Sequence, residues 1–180
     1  MKLKHLNRLL ALPILVGMAC SAQSDIIVQT QHNYIEAFAP YSDQFDSSDS
    51  LTSWNGAVSA RGTGSASASL SSTIAAFSIT LNGSTSAHSK VSYYEVNAWA
   101  HATTHIQFTV STNRTYTVVG TVGGNVGRLS EVQLLRDGVV ISSGKFKRVF
   151  PFEVGHTYEI DCSAWGGAGW NSAGYGFSMK

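Results

Sequence analysis

The sequence predicts an all-β domain, a single antiparallel β-sandwich of jelly-roll-like type, on three observations. Apolar and polar residues alternate along much of the chain from Asp25 onward, glycine-containing dipeptides interrupt that alternation at short intervals, and no stretch carries a helical period. A period of two is what a strand with one buried face requires, and one-sided strands belong to antiparallel sheets.

The first 22 residues stand apart from this pattern. Lys2, Lys4 and Arg8 make a basic start, Leu9 to Val16 an apolar run, and Ala19, Cys20, Ser21 and Ala22 a small-residue region, which together read as a signal peptide cut after Ala22. The apolar run is shorter than the roughly 20 residues of a spanning helix, and no later stretch is apolar enough to be one. Residues 23–180 are therefore expected to form one domain, secreted or periplasmic, with no transmembrane segment. A rival reading makes Cys20 the lipidated N-terminus of a bacterial lipoprotein. Gly17 stands where such signals usually place Leu, and Met18 is large, so ordinary cleavage is preferred.

Along the mature chain, Tyr41 to Ser53 is polar and acidic and reads as a long exposed loop, whereas Ala57 to Ser72 is rich in Ala, Ser and Gly. The strict Ser/Ala alternation in the second segment predicts a strand with a thin, close-packed inner face, with Ala66, Ala68 and Leu70 on it. Phe77, Ile79 and Leu81 form the next apolar face, followed by Ile106, Phe108 and Val110, then Tyr116 and Val118, then Tyr158, Ile160 and Cys162. Asp137-Gly138 between two apolar runs is the clearest hairpin, because a type I′ turn needs positive φ at both central residues. Asn82-Gly83 and Asn55-Gly56 are read as further turns, Ser111 to Arg114 as a short loop, and Gly123-Gly124 as a looser turn. About nine to eleven strands follow from this spacing.

Charge and cysteine content exclude several function classes. Removing the signal takes three of the 12 basic residues and none of the 11 acidic ones, leaving a net charge of about −2. Lys145, Lys147 and Arg148 are the one basic cluster that remains, and a group of that size suits a solvated strand face better than a nucleic-acid interface. Cys162 alone survives cleavage, so an internal disulfide is impossible and the core must supply stability. In register with Tyr158 and Ile160, its thiol reads as buried and inert.

Catalytic patterns are sparse. The chain has no Gly-x-Ser-x-Gly, and Glu36, Glu95, Glu131, Glu153 and Glu159 show no local signature of a glycosidase pair. His101 and His105 share a strand face but lie about 13 Å apart, too far for one metal to bridge. Asp43, Asp46 and Asp49 are candidate calcium ligands, although their spacing departs from the EF-hand pattern and a solvated acidic loop explains them as well. No cofactor is expected.

The aromatic residues are more suggestive. Trp165 and Trp170 flank Gly166-Gly167-Ala168-Gly169, which reads as a mobile loop, and Trp99 alternates with Tyr93, Glu95 and Asn97 toward the outer face of a strand. Exposed tryptophans stack on sugar rings, so these three are candidate ligand-binding residues; the competing reading folds the rings back to cap the core.

The second half, from about His105 to Met179, resembles the secreted all-β bacterial proteins grouped as exosortase-sorted, or PEP-CTERM, proteins. The matching text is Ile106-Gln107-Phe108-Thr109-Val110 with Thr115-Tyr116-Thr117-Val118, then Phe152 to Ile160, then Gly174-Tyr175-Gly176-Phe177-Ser178-Met179. The resemblance implies an extracellular matrix or surface component. The Pro-Glu-Pro-like sorting tail of the group is not in this sequence, so free secretion or periplasmic residence is expected instead. The leading expectation is a non-enzymatic structural or adhesive extracellular component, with a carbohydrate-binding module using Trp165, Trp170 and Trp99 as the alternative, and a jelly-roll glycosidase or lyase third. The expected partners are extracellular polysaccharide or surface components, not nucleic acid.

Overall fold

The computed structural model describes residues 25–89, 98–124, 130–167 and 172–180. The expected signal peptide with Cys20, the stretch holding Tyr93, Glu95 and Asn97, and Trp170 lie outside them. The described residues form twelve strands: β1 (Ile26–Ala39), β2 (Ser42–Ser48), β3 (Trp54–Arg61), β4 (Gly64–Ala75), β5 (Ser78–Ser89), β6 (Trp99–Val110), β7 (Arg114–Gly124), β8 (Ser130–Arg136), β9 (Val139–Ser143), β10 (Phe146–Phe152), β11 (Tyr158–Gly167) and β12 (Ser172–Met179). Among these residues no helix is long and apolar enough to cross a membrane.

Two six-stranded antiparallel sheets make the expected sandwich, in the orders β2-β1-β6-β11-β8-β9 and β10-β7-β12-β5-β4-β3. The chain winds from one sheet to the other after β2, β5, β6, β7, β9, β10 and β11, so strands distant in sequence become neighbours. Strand alternation sends one set of side chains inward from each sheet. On β4 the inward set is Ala66, Ala68 and Leu70, as the Ser/Ala alternation implies, and the outward serines bond across to β5 through Ser67–Ser86 and Ser69–Ser84.

The core is graded from end to end. At one end Ala37, Ala39, Ala100, Ala102 and Ala164 face Ala60, Ala66, Ala68, Ala87 and Ala173, so the sheets approach closely; a Cβ on Gly166 would come 3.0 Å from Thr85 Oγ1 of the opposite sheet. At the other end the filling is aromatic. Phe152 sits between Tyr158, at 4.4 Å between ring centroids, and Tyr116, at 5.3 Å, with Phe108 stacked beyond. Polar groups also cross the core, where Thr104 and the Tyr175 hydroxyl lie 2.9 Å apart and Gln31 donates to Ser72 at 3.0 Å.

Several expected turns are strand instead. Tyr41 to Ser53 contains β2, which pairs with β1 from Asn33↔Ser48 to Ala39↔Ser42, because β6 takes only one edge of β1 and the other edge offers an open ladder. Asn82-Gly83 lies inside β5, where hydrogen bonds to β4 on one side and β12 on the other override the local turn preference. Gly83 is there for space: a Cβ would meet the Tyr175 ring at 2.3 Å. Asn55-Gly56 falls within β3, and β7 runs through Gly123 and Gly124. Phe77 precedes β5, half-exposed beneath the Arg114 guanidinium at 4.9 Å, and does not join Ile79 and Leu81 in the core. Asp137 and Gly138, with φ of 51° and 77°, do close the β8–β9 hairpin.

One buried carboxylate ties both sheets together. Asp25, 3% exposed, accepts from the Thr112, Ser111 and Tyr116 hydroxyls and pairs with Arg114 Nε at 2.9 Å, while its backbone N–H donates to Ala76 and its carbonyl accepts from Ser111. The Thr112 bond, with Arg114 and the other hydroxyls, holds its pKa below the ordinary carboxylate value against the opposing effect of burial. A lowered folded pKa means stability that is present at neutral pH and lost as the pH falls below about 4. Asp25→Asn should destabilise by about 2–3 kcal/mol at pH 7 and flatten the acid limb of a pH–stability curve. Urea melts at pH 7 and pH 3.5 check this, and an unchanged acid limb contradicts the assignment.

Candidate functional site

The outer face of the β2-β1-β6-β11-β8-β9 sheet differs from the serine-lined face opposite. On β6, Ala100, Ala102, Thr104, Ile106 and Phe108 point inward, so Trp99, His101, Thr103, His105 and Gln107 point outward. On β1 a bulge between Val28 and Thr30 shifts the parity: Ile26 is inward before it, and Gln31, Asn33, Ile35 and Ala37 after it. The inserted residue turns His32, Tyr34, Glu36 and Phe38 outward. β11 contributes Glu159, Asp161, Ser163 and Trp165.

Register then builds an aromatic ladder. Trp99 stands opposite Phe38 on one side and Gly167 on the other. With no side chain at Gly167, Trp165 leans across to Trp99 and stacks on it at 5.2 Å and 9°, while Phe38 stacks on the far side at 5.7 Å and 19°. His101 lies 5.2 Å from Trp165, and Tyr34 meets His101 edge-on at 6.4 Å. Trp99 is covered on both sides, whereas Trp165 ends the described ladder and is 39% exposed. Because the core beneath is alanine, these rings fill no interior space.

Electrostatics keep the ladder largely neutral. Burial lowers the His101 pKa, with Glu36 opposing, so the imidazole is uncharged at neutral pH. The Tyr34 hydroxyl donates to Glu36 at 2.5 Å, which pushes its pKa up to about 12. Next to the ladder, a polar hollow of about 320 Å³ opens on the same face, lined by His32, Thr103, His105, Glu131, Gln133, Asp161 and Ser163. Thr103 and Ser163 connect the two features along β6 and β11.

Two of the three candidate tryptophans, Trp99 and Trp165, thus meet on one face; Trp170 lies outside the described residues. Trp165 is part of β11 and not of a glycine loop, since β11 pairs with β6 as far as Gly167. The calcium candidates do not converge. Asp43 and Asp46, three apart on β2, take opposite faces, and Asp49 beyond the strand bonds His32 Nδ1 at 2.5 Å. Cys162 is buried, and desolvation raises its thiol pKa far above the ordinary value, which leaves it unreactive. Phe38, Tyr34 and His101 were not legible as site residues, although the period-two pattern of His32, Tyr34, Glu36 and Phe38 was available as a signal.

A parallel tryptophan pair at this distance couples its excited states, so the folded protein should show an exciton couplet in far-ultraviolet circular dichroism. Trp165→Ala should remove the couplet and cost about 1–2 kcal/mol in stability. A parent spectrum without the couplet contradicts the stack. Comparison with protein-family models, with curated proteins and with solved structures returns no match.

Proposed function

We propose that this protein is an exported, non-enzymatic adhesive component that holds extracellular polysaccharide on the outer face of the β2-β1-β6-β11-β8-β9 sheet. The observation that carries this reading is the meeting of Trp99 and Trp165, with Phe38, on a solvent-facing sheet above a core of alanine. Large rings placed outside where the interior needs none are a feature of binding surfaces. Trp99 is covered on both faces by Phe38 and Trp165, so the strip offers ring edges and the exposed part of Trp165 to a sugar. The adjoining hollow adds Thr103, Ser163, Gln133 and Glu131 as hydrogen-bonding groups for sugar hydroxyls. The site is an open face with an apolar strip and a polar strip, which suits grip on a polymer.

Tryptophan fluorescence quenching by iodide, measured with a panel of plant and algal polysaccharides, tests the proposal. The expected result is protection by at least one polysaccharide. Trp165→Ala should then weaken binding by about tenfold, near 1.4 kcal/mol. Quenching that no polysaccharide changes overturns the reading.

A second reading, a structural subunit that assembles through its edges, is favoured by a separate observation. One lateral edge, β2 over β3, carries Asp43, Asp46 and the exposed Phe45, with Asp49 just beyond; the sheets end at the opposite edge in β9 and β10, with Lys145, Lys147, Arg148, Val139 and Val149. Unpaired edge strands of opposite charge suit head-to-tail contact, which forms open chains and not closed dimers. Sedimentation should show association at low salt, weakened by 0.5 M NaCl and by Lys147→Glu with Arg148→Glu. A monomer at all concentrations and salts removes this reading.

A further inference from the structure

We propose that His105, Glu159 and Asp161 form a divalent-metal site of the zinc type at the margin of the hollow, which His105 and Asp161 line. β6 and β11 are adjacent, with His105 directly opposite Asp161 and Glu159 two residues along on the same face. The three ligand atoms all lie within 4.8 Å of one another, and His105 Nδ1 is 2.6 Å from Asp161 Oδ1. A metal ion would take the place of this hydrogen bond. The side chains are half-buried, 41% and 43% exposed for His105 and Asp161, so they are held in place yet open to an ion from the hollow.

A second histidine lines the hollow beside the group, outside the three whose ligand atoms converge. His32 stands opposite His105 across the β1–β6 ladder and lines the same hollow. Its Nδ1 bonds Asp49 at 2.5 Å, which leaves Nε2 as the nitrogen able to bind a metal, the carboxylate–histidine arrangement that orients such ligands. One imidazole with two carboxylates matches Zn²⁺ or Mn²⁺ better than Ca²⁺, which takes oxygen ligands. Positions not taken by protein face the hollow and are open to water or to a ligand oxygen.

The other histidine–carboxylate pairs lack this arrangement. His156 bonds Asp137 at 2.6 Å, but the neighbouring Glu153 is bound by the Arg136 guanidinium, whose charge repels a cation. Neither Asp161 nor Glu159 forms an ion pair with Lys or Arg among the described residues. This proposal does not depend on polysaccharide binding.

Calorimetric titration of ZnCl₂ into tag-free, EDTA-treated mature protein at pH 7.5 tests it, with thermal melts alongside. One saturable ion per chain and a raised Tm are expected. Asp161→Asn and Glu159→Gln, which keep side-chain volume, should each weaken binding by about tenfold or more, and His156→Ala should leave it unchanged. Melts without metal show that each variant is folded. No saturable binding in the micromolar range overturns the site, and so does binding that survives both carboxylate changes or is lost with His156→Ala.

Discussion

Both the core and the candidate site depend on the unbroken two-residue alternation of β6 in the centre of its sheet. Ala100, Ala102, Thr104, Ile106 and Phe108 go in, while Trp99, His101, Thr103, His105 and Gln107 go out. A one-residue slip would bury the tryptophan and both histidines and expose Phe108. Pairing with β1 and β11 on either side, over nearly the whole strand, makes such a slip costly. The hydrophobic demand for Ile106 and Phe108 inside is therefore also what holds the aromatic ladder and the histidine row outside.

The graded core explains why the ladder stands where it does. Sheets packed on alanine at one end lie close together and leave no room for large inner side chains, so bulk at that end must go outward. At the other end Phe108, Phe152, Tyr116 and Tyr158 fill a wider gap. There Asp25 joins the start of β1 to the β6–β7 connection through its buried carboxylate and to the β4–β5 connection through its backbone N–H. Aromatic rings thus fill the core at one end and stack on the outer face at the other.

The two outer faces and the two lateral edges are chemically unlike. Serine ladders cover one sheet, and rings, histidines and carboxylates cover the other. The edge strand β2 carries Asp43 and Asp46, and the edge strand β10 carries Lys147 and Arg148.

Fold class was legible in the residues because alternation and turn chemistry are local. Ala66, Ala68 and Leu70, Ile106, Phe108 and Val110, and Asp137-Gly138 took their expected roles, since each is decided within a few positions of the chain. Asn82-Gly83 was misread because its two neighbouring strands come from residues 64–75 and 172–179, and ladder bonds outweigh a dipeptide's preference. The site was only half legible. Trp99 and Trp165 were visible as candidates, but their stack needs a register that pairs Trp99 with Gly167, and Phe38 joins them only through the bulge after Val28. The His105, Glu159 and Asp161 group joins residues more than fifty positions apart on one face of two paired strands. Composition and periodicity determined that there would be sheets, and which residues would be inside them. Which strands lie side by side, and so which outward residues meet, only the tertiary structure decided, because strand pairing is set by non-local hydrogen bonding and packing.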